Sequence, residues 1–85
     1  MRNYHLLKTV QPYFDDVADF KKTFEVRKND RNFQVGDRVF LQEFIPPETH
    51  TGRELRAEII YILDDSQYCK DGYVVLGIET YGRNF

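Results

Sequence analysis

Along the chain, apolar and polar positions mostly alternate with a period near two, and one early interval lengthens toward a helical repeat. Residues 3 to 10, Asn3 to Val10, mix aromatic and β-branched residues in an imperfect alternation and predict a first strand. Gln11-Pro12 ends it, and Pro12 suits the first position of a helix, where its missing N–H costs nothing. Tyr13, Phe14, Val17, Ala18 and Phe20 then recur at near-helical spacing, with Asp15 and Asp16 close to the positive end of the dipole. This predicts a short helix over 12–20.

A second strand is expected over 22–28, closed by the polar cluster Asn29-Asp30-Arg31-Asn32. Val35-Gly36-Asp37 reads as a tight turn into a third strand, Arg38 to Ile45, which begins apolar on both faces and is stopped by Pro46-Pro47. Residues 48–52 read as a surface connection. The longest strand is expected over 53–65, with Leu55, Ala57, Ile59, Tyr61 and Leu63 on one face. Glu54, Arg56 and Glu58 hold the other face until Ile60 and Ile62 turn it apolar, which predicts cover on both sides at the far end. After a loop over 65–72, Tyr73 to Glu79 forms the last strand, in which Gly77 marks a bulge or a close backbone approach.

Five strands, one early helix and short loops predict a small, mainly β fold of the α+β class. It closes most economically into a partly open barrel with the helix over one end, and an open sheet with the helix on one face is the competing arrangement. The expected core is Phe24, Val26, Val39, Leu41, Ile59, Tyr61, Val74, Leu76 and Ile78. With 85 residues the chain supports one such core, so residues 1–85 read as a single domain.

Composition narrows the chemistry. An apolar share of 41% with seven Phe and six Tyr argues for a folded chain despite 31% charged residues. Cys69 is the single cysteine, which excludes an internal disulfide and a cysteine-rich metal cage. His5 and His50 lie too far apart in sequence to suggest a metal pair, so neither metal nor cofactor is expected. No apolar run has the length of a membrane span or of a signal-peptide core, which makes a soluble cytoplasmic protein without a membrane partner the expectation.

The net charge of −2 is unevenly spread. Residues 21 to 38 hold six basic residues against three acids, a local balance of +3, while the remainder carries −5. One region can therefore attract phosphate. Within it, Glu25 and Arg27 stand two apart on a strand and share a face, so they can pair with each other or flank a ligand.

Lys22-Thr23-Phe24-Glu25-Val26-Arg27 resembles the G-x-K-x-x-E-x-R signature of ASCH domains, a branch of the PUA-like superfamily. The run from Lys22 to Arg31, Phe33 to Asp37, Tyr61 to Leu63 and Gly72 to Ile78 is similar to the small bacterial and phage proteins grouped as DUF3850. One departure stands out: the signature glycine falls at Phe20, so a residue with a Cβ must turn the corner from helix to strand. The resemblance implies a PUA-like pseudobarrel whose lysine, glutamate and arginine line a cleft beside the first helix, and it implies RNA as a ligand.

The residues suit that implication. Arg27 offers a rigid fork of donors, Lys22 a mobile cation, and Glu25 an acceptor for an exocyclic amine or a ribose hydroxyl. Lys28 and Arg31 extend the basic stretch, and Tyr13, Tyr68 and Tyr73 are candidate platforms for a base. The expectation is weak, salt-dependent binding of single-stranded RNA or a nucleotide. The alternative implied by the family is an amidohydrolase acting on N4-acetylcytidine-like nucleosides with a lysine, a threonine nucleophile and a glutamate. Lys22 matches the lysine, but the threonine position two before the arginine holds Glu25, which cannot supply a hydroxyl nucleophile. Thr23 stands elsewhere in the motif, and the balance falls toward a binding module.

Overall fold

The computed structural model describes residues 2–85. Its elements are strand β1 (Tyr4–Thr9), helix α1 (Tyr13–Ala18), then β2 (Phe24–Lys28), β3 (Arg38–Ile45), β4 (Thr49–Leu63) and β5 (Tyr73–Asn84). The five strands form one sheet in the order β1-β3-β4-β5-β2. β1 runs parallel to β3, and every other pair is antiparallel. The protein is mostly β, and the sheet curls into a half-barrel. Curling brings β1 and β2, the two edges, toward each other.

The concave side of the sheet is filled by Leu7, Val39, Leu41, Leu55, Ala57, Ile59, Val74, Leu76 and Ile78. Helix α1 adds Phe14, Val17 and Ala18. Arg83 of β5 donates to the Ala18 carbonyl at 2.9 Å, and the ring of Phe85 lies 5.9 Å from that of Phe14. The C-terminal end of β5 thereby holds the helix in place.

The helix is shorter than the 12–20 span expected, with Pro12 as its N-cap. Its end explains how the chain turns without the signature glycine. Phe20 N–H donates to Val17 O at 3.1 Å and Lys21 N–H to Asp16 O at 2.9 Å, the paired bonds of a Schellman motif. Phe20 occupies the position usually given to glycine, with φ of +60° and its side chain 66% exposed. A bulky residue there carries backbone strain on the order of 1–2 kcal/mol.

Three of the expected core residues lie outside. Phe24, Val26 and Tyr61 are 43%, 55% and 65% exposed, whereas Glu25 is only 3% exposed. For β2 the reason is register: Glu25 pairs with Leu76 and Arg27 with Val74, and directly opposed residues share a face. Leu76 and Val74 point into the core, so the charged alternation of β2 points inward with them. For β4 the reason is a bulge. Ile59 pairs with Ile78 but Tyr61 with Gly77, which leaves Ile60 as an extra residue and reverses the facing of everything beyond it.

Ile62 therefore packs against the core, while Ile60 and Tyr61 are exposed rather than covered on both sides as the pattern suggested. Gly77 stands opposite that bulge. A Cβ at Gly77 would come within 3.2 Å of the Tyr61 Cβ, so the glycine permits a close approach, as its place in the strand suggested.

Two boundaries also moved. Residues 49–52 belong to β4, and Thr49 and His50 pair with Ile45 and Phe44 at the end of β3, so most of the expected surface connection is part of a hairpin. β5 continues past Glu79 to Asn84, alongside the first half of the core-facing stretch of β4.

Candidate functional site

The site forms where the half-barrel fails to close. Between β1 and β2 lies a cleft of about 620 Å³, walled by Lys8, Thr9 and Val10 at the end of β1, by Tyr13 and Asp16 of α1, and by residues 21–27 other than Thr23. The inward phase of β2 sets its floor. Glu25 accepts a bond from Lys22 Nζ on Oε2, and from Arg27 Nη2 on Oε1 at 2.8 Å, with Arg27 Nε at 3.2 Å from the same oxygen. The carboxylate is thus held between two cations. The side chains of Lys22 and Arg27 keep 16% and 23% of their exposure, so both cations remain within reach of the opening.

Arg27 also works across the gap. Its Nη2 donates to the Lys8 carbonyl at 3.0 Å and to the Thr9 hydroxyl at 3.1 Å. Arg31 Nη1 donates to the Leu6 carbonyl at 2.6 Å. Leu6 and Lys8 are alternate residues of an edge strand, so their carbonyls face away from β3 and would otherwise be unpaired. Guanidinium groups therefore occupy ladder positions that a neighbouring strand would have filled.

The remaining donors and rings are arranged around Lys22. Its Nζ donates to the Phe24 carbonyl at 2.6 Å and stands 5.7 Å and 5.0 Å from the ring centres of Tyr13 and Phe24. Tyr13 is 51% exposed at the rim, where a planar ligand could meet it. Chemically the cleft combines excess positive charge, from Lys21, Lys22 and Arg27 against Asp16 and Glu25, with two accessible aromatic rings, while the Lys8 ammonium lies over the Phe44 ring, 4.8 Å from its centre, outside the cleft. Such a surface suits an anionic ligand with a flat group.

Of the residues singled out from sequence, Tyr13, Lys22, Glu25 and Arg27 meet in the cleft. Lys28, Arg31 and Tyr68 do not line it. Lys28 is exposed beyond the cleft end of β2, Arg31 is committed to the Leu6 carbonyl, and Tyr68 is 73% exposed in the loop between β4 and β5. Tyr73 sits on β5 with Lys70 Nζ 5.3 Å from its ring centre, also outside the cleft. Lys8, Thr9, Asp16 and Lys21 were not foreseen as lining residues. Lys8 and Thr9 belong to the opposite sheet edge, and nothing in a strand's own alternation says which distant edge it will face.

Residues 4–78 match a domain of unknown function, DUF3850, a range that takes in both edges of the cleft and nearly all of the sheet. The chain belongs to the DUF3850 family. A relative from Escherichia phage P2, described as an uncharacterized 12.9 kDa protein in the GpA 3′ region, is 40% identical over 76 residues, covering 89% of this chain and 68% of the relative.

Two other polar clusters in this DUF3850 domain are ties between elements. His5 Nε2 and Asp37 Oδ2 are 2.8 Å apart, both nearly buried, and Asp37 also accepts from the N–H groups of Asn3 and Gln34 at 3.1 Å each. Burial pushes the Asp37 carboxyl up, but the bonds from His5, Asn3 and Gln34 outweigh it and hold the group below the ordinary aspartate range. Glu43, also nearly buried, accepts from Thr51 and Gln11, at 2.7 Å and 2.6 Å. Those bonds, assisted by Arg53, keep its carboxyl below the ordinary glutamate range against the effect of burial. These clusters pin β1 to the turn before β3, and the segment before α1 to the β3–β4 hairpin.

Among the described residues no cluster of His, Cys, Asp and Glu has the grouping of a metal site, and no helix is long and apolar enough to cross a membrane.

Proposed function

We propose that the cleft between β1 and β2 binds single-stranded RNA or a nucleotide, without catalysing a reaction on it. The observation that carries this reading is the inward-facing Lys22-Glu25-Arg27 triad at the floor of an open, aromatic-rimmed cleft. A charged triad is an expensive way to fill the inside of a small barrel, because desolvation offsets much of the attraction between its members. Local departures of this kind from an apolar interior gather at functional sites. The likeness to the ASCH signature of the PUA-like superfamily supports the same ligand class.

The threonine hydroxyl in the cleft favours binding over amide hydrolysis by a threonine nucleophile. Thr9 Oγ1 donates to the Leu7 carbonyl at 3.3 Å and accepts from Arg27, so no base stands ready to take its proton. Thr23 does not line the cleft.

Titration of labelled protein with short single-stranded RNA at increasing salt tests the proposal. Affinity should fall as salt rises, and Lys22→Gln should weaken binding several-fold while lowering the salt dependence by about one phosphate contact. The same variant should retain its fold, because glutamine can still donate to Glu25. Binding indifferent to salt, or unchanged in Lys22→Gln, would count against the cleft, and release of acetate from N4-acetylcytidine would count against a purely binding role.

A further inference from the structure

The free edge of β2 carries a recognition element that is independent of any side chain. Ile78 N–H donates to Thr23 O at 3.0 Å and Asn29 N–H to Gly72 O at 2.8 Å, which fixes the parity of the ladder between β2 and β5. The main-chain groups of Glu25 and Arg27 point to β5, so those of Phe24, Val26 and Lys28 point to the free edge. Two of the three edge carbonyls are already used. Phe24 O accepts from Lys22 Nζ at 2.6 Å, and Lys28 O accepts from Asp30 N–H at 2.9 Å.

Val26 differs from both. Neither its N–H nor its C=O has a partner among the described residues, and it lines the cleft between Glu25 and Arg27. In an extended residue these two groups lie side by side and parallel, presenting one donor beside one acceptor. That pair is the complement of the Watson–Crick edge of a nucleobase, on which an acceptor and a donor are adjacent ring or exocyclic atoms.

Resting on the reading of the cleft as a nucleic-acid site, we propose that Val26 is a base-reading position: its main-chain N–H and C=O bond the Watson–Crick edge of one unstacked base. Lys21, exposed at the mouth, meets a flanking phosphate. The ring of Phe24 or Tyr13 covers a face of the base. This arrangement distinguishes a nucleobase from a bare sugar phosphate and requires an unpaired strand, because a duplex has its Watson–Crick edges occupied. An unpaired edge residue left open inside a positively charged cleft then has a physical use, where elsewhere it would invite strand addition.

The test is a nuclear magnetic resonance titration of the full chain, labelled with nitrogen-15, with single-stranded RNA pentamers. The four homopentamers are compared first, then pentauridylate with its 3-methyluridine counterpart, which keeps charge and stacking but blocks the ring N–H donor. Binding of pentauridylate should move the Val26 amide resonance, and the methylated pentamer should bind at least tenfold more weakly and leave that amide in place. Equal affinity of the two uridine pentamers, or a Val26 amide that stays still at saturation with every pentamer that binds, would overturn the base-reading position while leaving a phosphate-binding cleft standing. If none of the four homopentamers binds, the reading of the cleft itself fails and the base-reading position falls with it.

Discussion

Replacing Arg27 with lysine separates the two tasks that the structure assigns to this side chain. The guanidinium bonds Glu25 through Nε and Nη2, and the same Nη2 reaches the Lys8 carbonyl and the Thr9 hydroxyl across the gap. A lysine has one nitrogen at the end of a narrower chain, so it can keep Glu25 or reach β1, but not both. If it keeps Glu25, the links to Lys8 and Thr9 are lost. Hydrogen bonds from a charged donor contribute about 1.5–3 kcal/mol each, but this side chain is 23% exposed and water can replace much of what is removed. The expected loss is therefore about 1–3 kcal/mol in all. Against a stability of roughly 5 kcal/mol, the low end for natural domains and suited to a chain of this size, that is a large fraction.

Urea denaturation followed by circular dichroism measures it, as a lower midpoint at unchanged slope. Arg31→Lys is the comparison. Its guanidinium is 44% exposed and reaches β1 only through the Leu6 carbonyl, so its loss should stay below about 1 kcal/mol. A change under about 0.5 kcal/mol for Arg27→Lys, or one no larger than that for Arg31→Lys, would mean that Arg27 does not hold the two edges together.

Phe20→Gly should raise stability by up to about 1 kcal/mol in the same assay, because glycine accepts the φ of +60° at the helix end and the phenyl ring it removes is 66% exposed. A destabilised variant would show that the ring contributes packing that outweighs the strain. For pH, a carboxyl whose folded pKa is depressed contributes stability above its unfolded value, and that contribution disappears as pH falls through the folded one. Asp37 is such a group, so the protein should lose stability below the ordinary aspartate value of 3.8, and Asp37→Asn should flatten that part of the acid limb. An acid limb of the same shape in both proteins would remove Asp37 from the account. Substituting Lys22→Met, Glu25→Leu and Arg27→Met together should cost less stability than Glu25→Leu alone, since the single change leaves two cations without their shared partner. The triple variant should also lose RNA binding, and retention of wild-type binding would detach the triad from function.

Strand positions were legible because turn chemistry is local: Pro46-Pro47 ends β3 at Ile45, and Gly36 makes its turn with φ of +96°. The inward faces of β3 and β5, with Val39, Leu41, Val74, Leu76 and Ile78, follow directly from alternation. What alternation cannot supply is its own phase. In β2 it offers either Phe24 and Val26 or Glu25 and Arg27 to the core, and hydrophobicity alone selects the wrong pair. Register against β5 decides, and register is a tertiary property. In β4 the extra residue at Ile60 reverses the phase midway, and the one local sign of it is Gly77 on the neighbouring strand. For the site, Lys22, Glu25 and Arg27 were found through their motif, whereas Lys8 and Thr9 required knowing that β1 and β2 end at opposite edges of a curled sheet.

The same geometry accounts for why the sheet remains open. To close, β1 and β2 would have to pair directly, and Arg27 would then have no gap to span. Its side chain stands between the strands on the inner side, bonded at one end to Glu25 and at the other to Lys8 and Thr9, and so it acts as a spacer as well as a tie. Edge exposure is usually a liability, limited by charge or by cover. Here Lys22 and the arginines satisfy the carbonyls of Leu6, Lys8 and Phe24, leaving the polar groups of Val26 directed into a cationic cleft. An opening maintained only to avoid strand addition would need no aromatic rim and no buried carboxylate beneath it. The presence of both beside an edge residue with a free donor and acceptor inside the cleft supports the proposed use of the gap by a ligand that brings its own acceptor and donor.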